Sequence, residues 1–221
     1  MIEELTALVV CGGAWEPGLE LVALKPDLVV AADGGAEHLS RFGLTADLLV
    51  GDFDSITADT RATLEAGGTE IREFPRDKDK TDTEIAIDVA LEHGATHVVL
   101  ACAFGGRPDH TVMNMMLLAS RLAERAALSA LGAGYDITAV RGTNVITGAR
   151  GDVISLIAVS DDVRGVTTSG LRWELRDGTL GRGSSLGVSN VMVGQSATVS
   201  TTSGILIAVH LAQGVFSGVG D

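Results

Sequence analysis

Three acidic clusters punctuate the first half of this 221-residue chain. They are Gly51-Asp52-Phe53-Asp54-Ser55, Asp77-Lys78-Asp79-Lys80-Thr81-Asp82 and Gly105-Gly106-Arg107-Pro108-Asp109-His110. Each abuts an apolar run that reads as strand or helix, which would bring the carboxylates to one rim of a sheet. Carboxylates interleaved with Lys and Arg suit a site that holds Mg²⁺ and a polyphosphate together: the acids bind the cation, and the positive groups neutralise the phosphates. In an extended segment side chains i and i+2 face the same way, so Asp52 and Asp54 are expected to share one ion, with Phe53 packed behind them. Two like charges so placed need a positive partner. Lys80 is a flexible point charge able to reach a phosphate oxygen, and Arg107 offers a planar five-donor fork. Asp82 opens a helix whose free amides also favour an anion. His110 is placed either to orient a carboxylate or phosphate or to make a structural hydrogen bond.

A fourth element, Ala31-Ala32-Asp33-Gly34-Gly35, directly follows an apolar run. Ligands of open sheets bind beyond the carboxyl ends of strands, where paired glycines permit close backbone approach, so Asp33 is placed to receive a hydroxyl or a cation. Neither this loop nor Cys11-Gly12-Gly13 matches G-x-G-x-x-G, and no G-x-x-x-x-G-K-[ST] loop occurs, which disfavours a hydride-transfer cofactor and P-loop chemistry. The histidines lack H-x-x-x-H spacing and there is no cysteine cluster, which disfavours zinc.

The elements that must position these residues fall into two halves. Near 5–10, 28–32, 48–50, 69–74 and 97–103 the chain reads as strands, and near 17–24, 35–42, 58–66, 82–93 and 109–130 as helices. Near-continuous apolar strands suit a parallel sheet covered on both faces, so a doubly wound, mostly parallel α/β fold is expected. Thr81 with Glu84 three residues later is a capping-box signature for the helix that begins at Asp82. After Leu131-Gly132-Ala133-Gly134 the helical period disappears. Short β-prone runs follow near 136–140, 153–158, 163–168, 171–175, 197–201 and 205–211, reading as an antiparallel β-sandwich or barrel. The expected division is an α/β domain over 1–132 and a β-sandwich over 133–221.

Charge is uneven too. The chain carries 29 acidic and 16 basic residues for a net −13, and residues 1–130 hold 22 of the acids against 10 bases. This acidity argues against a general nucleic-acid binder, while a divalent cation can still bridge acids to a single nucleotide. Cys11 and Cys102 lie in apolar stretches and read as buried reduced thiols. With no basic flank before an apolar N-terminal segment and no apolar run of membrane-spanning length, a cytoplasmic protein without membrane association is expected.

Taken in order, these motifs resemble those of the thiamine pyrophosphokinase family, also called thiamine diphosphokinases. The likeness extends into the second half through Thr168-Ser169-Gly170-Leu171-Arg172-Trp173 and Gly187-Val188-Ser189-Asn190. It implies transfer of the β,γ-pyrophosphoryl unit of ATP to the hydroxyl of thiamine with release of AMP, by a homodimer whose active sites lie at the interface. It further implies Asp52, Asp54 and Asp82 as Mg²⁺ ligands and catalytic carboxylates, with Asp54 or Asp82 as candidate base. Lys80, Arg107, Asp33, Gly34, Asp109 and His110 fall to ATP and its phosphates. Ser189 and Asn190 fall to thiamine, both expected to be more exposed than a sandwich-core position allows. Trp173 reads either as sandwich core or as a stacking platform, with Trp15 the other ring available. Competing readings are a Mg²⁺-dependent pyrophosphokinase or hydrolase for another heterocyclic alcohol, and a nucleotide-binding regulatory dimer.

Overall fold

The computed structural model describes residues 4–214. The chain forms two compact units, one ending at Gly132 and the other beginning at Ala133.

The first unit is built on parallel strands β1 (Thr6–Val10), β2 (Leu28–Ala32), β3 (Leu48–Gly51), β4 (Glu70–Glu73), β5 (His97–Ala101) and β6 (Ala127–Gly132), ordered β6-β5-β1-β2-β3-β4. The runs read as strands from the sequence are β1 to β5; Leu8, Val9, Val10, Leu49 and Val50 are fully buried, as expected when both faces are covered. β4 closes one edge with the sequence Glu-Ile-Arg-Glu, whose charges discourage pairing with another chain. Among the described residues four α-helices complete the unit: α1 (Leu39–Phe42), α2 (Ala58–Ala66), α3 (Asp82–Glu92) and α4 (Pro108–Leu117). α3 packs Ile85, Ala86, Ile87, Val89 and Ala90 against β1, β2 and β3. Its start is fixed by Thr81, whose hydroxyl accepts the Glu84 N–H at 3.2 Å.

Three expected helices are corrected. The segment 17–24 is irregular save for a 3₁₀ turn at Val22–Leu24, and 35–42 is a 3₁₀ segment, Asp33–His38, leading into the single turn of α1. The long helix expected over 109–130 stops at Leu117. A 3₁₀ turn at Arg121–Glu124 follows, in which the Ser120 hydroxyl accepts the Leu122 N–H, and the chain then enters β6. The Ala- and Leu-rich run at 126–131 has good helix propensity. Pairing with β5, in register Val98↔Leu128 and Leu100↔Ala130, buries those two side chains and overrides it.

The second unit is antiparallel and, among the described residues, has no helix. Its strands are β7 (Tyr135–Val140), β8 (Thr143–Thr147), β9 (Val153–Ala158), β10 (Val163–Ser169), β11 (Gly178–Leu180), β12 (Asn190–Val191), β13 (Ser196–Ser200) and β14 (Leu206–Leu211). Strands β12-β9-β14-β7 form one layer and β11-β10-β13-β8 the other. Val140, Ile154, Leu156, Leu206 and Ala208 from the first layer meet Ile146, Val163, Val166, Ala197 and Val199 from the second in one core, the sandwich that the alternating pattern implied. The strand expected at 171–175 is a loop. The Asn190 side chain binds both backbone groups of Trp173 and the Thr168 hydroxyl accepts the Leu175 N–H, while the Arg172 N–H donates to the Val191 carbonyl and an isolated bridge pairs Leu171 with Met192. No helix among the described residues is long and apolar enough to cross a membrane.

Candidate active site

Two strand ends and one helix start bring the chemistry together. β2 delivers Asp33 just after Ala32, and β3 delivers Asp52 just after Gly51. Because Ala32 pairs with Val50, Asp33 and Gly51 fall side by side. Asp82 is the first residue of α3, beside these two ends. Oxygens of Asp33, Asp52 and Asp82 all lie within 4.8 Å of one another. Gly51 makes this possible. Its φ is +149°, and a Cβ there would stand 2.8 Å from the Asp33 Cβ and 3.3 Å from Asp82 Oδ1. Gly35 has a comparable role behind the cluster, where a Cβ would collide with the Val10 carbonyl oxygen. Asp33 itself is held at φ +43°, a region costly for most side chains but tolerated by Asp and Asn.

Electrostatics mark this cluster out. Asp33 is 7% exposed and its Oδ1 has no hydrogen-bond partner. Lys78 places its ammonium 3.1 Å from Asp52 Oδ2 and 3.1 Å from Asp82 Oδ1, with only 13% of its side chain exposed. The contact with Asp82 Oδ1 is an ion pair without hydrogen-bond geometry, so that oxygen too is unsatisfied. Burial raises the Asp82 pKa; Lys78 opposes the rise, and the charges of Asp33 and Asp52 add to it. At Asp52 burial also pushes upward, but hydrogen bonds from Lys78 and the Asp54 N–H outweigh it and the pKa falls. Burial depresses the Lys78 pKa, and the two carboxylates more than reverse that. Clustered carboxylates with unsatisfied buried oxygens fit a hard divalent cation, which takes oxygen ligands.

The cluster opens into a cavity of about 540 Å³ whose walls are polar loops of the first unit. Gly12, Gly13 and Gly34 form one wall, Gly105, Gly106 and Arg107 another, and Arg76, Lys78, Lys80 and His110 also line it. Arg107 pairs with Asp109 at the rim, and that guanidinium holds the Asp109 pKa down at about 2. Lys80 is turned to α3, 2.5 Å from Asp88 and 3.6 Å from Glu84.

Not every candidate joins the cluster. Asp54 lines the cavity but lies outside the carboxylate triad: its oxygens take the Ser55 hydroxyl at 2.8 Å and Arg76 at 3.0 Å. The i, i+2 alignment with Asp52 is lost because Phe53 adopts φ +61°, so the segment is not extended; Arg61 covers the Phe53 ring at 4.8 Å. Sequence reasoning missed Lys78, Arg76 and Asn114. Asn114 is buried on α4, donates its amide to the Ala103 carbonyl at 2.7 Å, and leaves its Oδ1 without a partner. An Asn one α-helical turn beyond His110, on the same face, was the available signal.

In the second unit Ser189 is exposed, with φ +60°, and its N–H donates to Ser155 Oγ at 3.0 Å. Asn190 corrects expectation: it is 7% exposed. Its Oδ1 accepts the Trp173 and Val191 N–H groups at 3.1 and 2.9 Å, and its amide donates to the Trp173 carbonyl at 2.7 Å. Trp173, by contrast, is 58% exposed, with Arg172 over its ring at 5.5 Å, so it is no core residue.

Comparison with known proteins matches both units. The family model for the thiamin pyrophosphokinase catalytic domain covers residues 19–129, and that for the thiamin pyrophosphokinase vitamin B1 binding domain covers residues 143–206. Thiamine pyrophosphokinase of Bacillus subtilis is 27% identical over 217 residues, spanning 93% of this chain and 98% of its own. Its crystal structure superposes with a TM-score of 0.83 over 94% of this chain and 99% of that one. The thiamin pyrophosphokinase of Geobacillus thermodenitrificans, 30% identical, gives a TM-score of 0.80 over 96% of this chain and 99% of its own. The chain belongs to the thiamin pyrophosphokinase family.

Proposed function

We propose that this protein transfers pyrophosphate from ATP to the hydroxyl of thiamine, giving thiamine diphosphate and AMP, at the acidic cavity of its first unit. Family membership supports the reaction, and one observation carries its placement: Asp33, Asp52 and Asp82 converge, with buried unsatisfied oxygens, in a cavity also lined by Arg76, Lys78, Lys80 and Arg107. Those three carboxylates would hold Mg²⁺. Bound there, it would shield the triphosphate and reduce the charge carried by the departing AMP.

The chain's own groups do the rest. Gly12, Gly13 and Gly34 let the phosphates approach the backbone closely. Arg107, Arg76 and Lys80 stand around the cavity as phosphate ligands, each now held by an acid it would exchange for a phosphoryl oxygen: Asp109, Asp54, and Asp88 with Glu84. His110 on the wall adds a further polar contact. The thiamine hydroxyl oxygen bonds to the β-phosphorus as the bond from that phosphorus to the bridging oxygen of AMP breaks. Asp54, on the cavity wall but outside the triad, is the candidate to take the hydroxyl proton once Arg76 leaves it for a phosphoryl oxygen.

Thiamine recognition falls to the second unit. Exposed Trp173 offers a face for a cationic ring, Asn190 fixes the backbone that carries it, and Ser189 offers a polar contact. The homodimer implied by the family resemblance would bury exposed apolar side chains such as Trp173, Leu186, Val188 and Val193. A cytoplasmic location is compatible with the two buried free thiols, Cys11 and Cys102.

Incubation with ATP, thiamine and Mg²⁺ should give AMP and thiamine diphosphate in equal amounts by mass spectrometry, with no AMP when either thiamine or the metal is withheld. ADP as the product, or AMP formed without thiamine, would contradict the assignment.

A further inference from the structure

Lys78 occupies an unusual place. Its ammonium stands 3.1 Å from both Asp52 and Asp82, the two partly exposed members of a carboxylate triad whose third member, Asp33, is buried with a free Oδ1. A compact cation in that position does what a divalent ion would do there: it neutralises acids that repel one another. The same oxygens cannot serve both cations fully. Mg²⁺ bonds oxygen at about 2.0–2.1 Å, and an ammonium on those oxygens at the same time would set two positive centres against each other.

We propose that Lys78 is an internal competitor for the divalent cation: its ammonium holds the triad until metal arrives and is displaced when metal binds. This rests on the reading of the triad as the metal site and deepens it. A displaced ammonium in the cavity needs an anion, and a polyphosphate supplies one. Metal alone therefore binds weakly, because it must expel Lys78 into an unpartnered position. Metal together with ATP binds well, because the nucleotide receives the charge that the carboxylates release. Lys78 thus couples metal binding to nucleotide binding and, as a positioning residue, biases the cavity toward the metal–nucleotide complex over the bare ion. Lys80 does not share the role, since its ammonium is already held by Asp88 and Glu84 on α3, away from the triad.

The test is a Mn²⁺ titration, by electron paramagnetic resonance or calorimetry, of the wild type and Lys78→Met, each with and without a non-hydrolysable ATP analogue, and with Asp82→Asn as the site control. In Lys78→Met, Mn²⁺ alone should bind about tenfold tighter than in the wild type, and the gain conferred by the nucleotide should shrink by a similar factor. A lysine with only a structural role would give lower thermal stability with unchanged or weaker Mn²⁺ affinity, and that result overturns the proposal. Loss of the metal-reading itself looks different: Mn²⁺ affinity in the wild type would then be indifferent to Asp82→Asn.

Should Lys78→Met fail to fold, the wild type alone decides. Competitive acetylation read by mass spectrometry should label Lys78 slowly in chelator and several-fold faster in saturating Mn²⁺, with Lys80 unchanged. Equal labelling of Lys78 in both conditions overturns the proposal.

Discussion

Asp33→Asn separates what the triad does for chemistry from what it does for folding. Asp33 is almost wholly buried, has one oxygen without a partner, and shares a 4.8 Å cluster with two other carboxylates. Repulsion between two carboxylates at that spacing is on the order of 3 kcal/mol at an effective dielectric of about 20. Lys78 offsets some of this, and its two close contacts are with Asp52 and Asp82, not Asp33. An amide at position 33 removes one charge, can donate to the neighbouring carboxylates, and suits the local φ of +43°. Metal-free stability should therefore rise by about 1–2 kcal/mol, or roughly 2–8 °C in melting temperature for a chain of this size. Turnover should fall about 100-fold or more, because a cation ligand is lost. Thermal melts in chelator, paired with thiamine-dependent AMP formation, measure both. A lower melting temperature, or turnover within about threefold of wild type, would refute the reasoning and make Asp33 a structural residue.

Gly51→Ala should cost about 1–3 kcal/mol in urea denaturation and depress turnover as well, because its Cβ would press 2.8 Å from the Asp33 Cβ; wild-type behaviour in both would mean that the loop yields freely. His210 lies between Asp136 at 2.7 Å and Asp152 at 2.8 Å, one carboxylate at each ring nitrogen, so both nitrogens donate when the ring is protonated. Burial lowers its pKa, but the two carboxylates prevail and raise it above the ordinary histidine value. Its stabilising contribution should be complete below the unfolded-state pKa of about 6.5 and vanish as pH rises through the higher folded value. His210→Gln should flatten the stability–pH curve in that window, and an unchanged curve would count against the charged triad. Asn190→Ala removes the hydrogen bonds that hold Trp173. It should lower stability by about 1–3 kcal/mol and raise the thiamine requirement while leaving ATP affinity intact; equal weakening of both ligands in separate titrations would assign Asn190 to folding alone.

What the sequence disclosed, and what it withheld, follows the range of the interactions involved. The parallel strands, the cap at Thr81 and the β-rich second half are written in local periodicity, so their placement was legible. The membership of the triad is not local. Asp33 reaches Asp52 only because β2 and β3 pair in the register Ala32↔Val50, a contact that no single segment encodes. Asp54 leaves it because Phe53 turns left-handed, which breaks the alternation that an extended reading assumes. Lys78 and Lys80 are equivalent by composition. Each is four residues before an acid of α3, but Lys78 meets Asp82 at the triad and Lys80 meets Glu84 along the helix flank. The run at 126–131 became strand β6 for the same reason, since β5 offered it a partner. Asn190 sits in a turn-like motif that suggested exposure, and its burial follows from the loop that its side chain carries.

The most direct test is to locate the metal. Crystals grown with Mn²⁺ and a non-hydrolysable ATP analogue should show an anomalous peak bonded to oxygens of Asp33, Asp52 and Asp82 and to the polyphosphate, with Asp54 outside its coordination sphere. A peak bridging Asp52 and Asp54 without Asp33, or one bound at Asp109, would contradict the account.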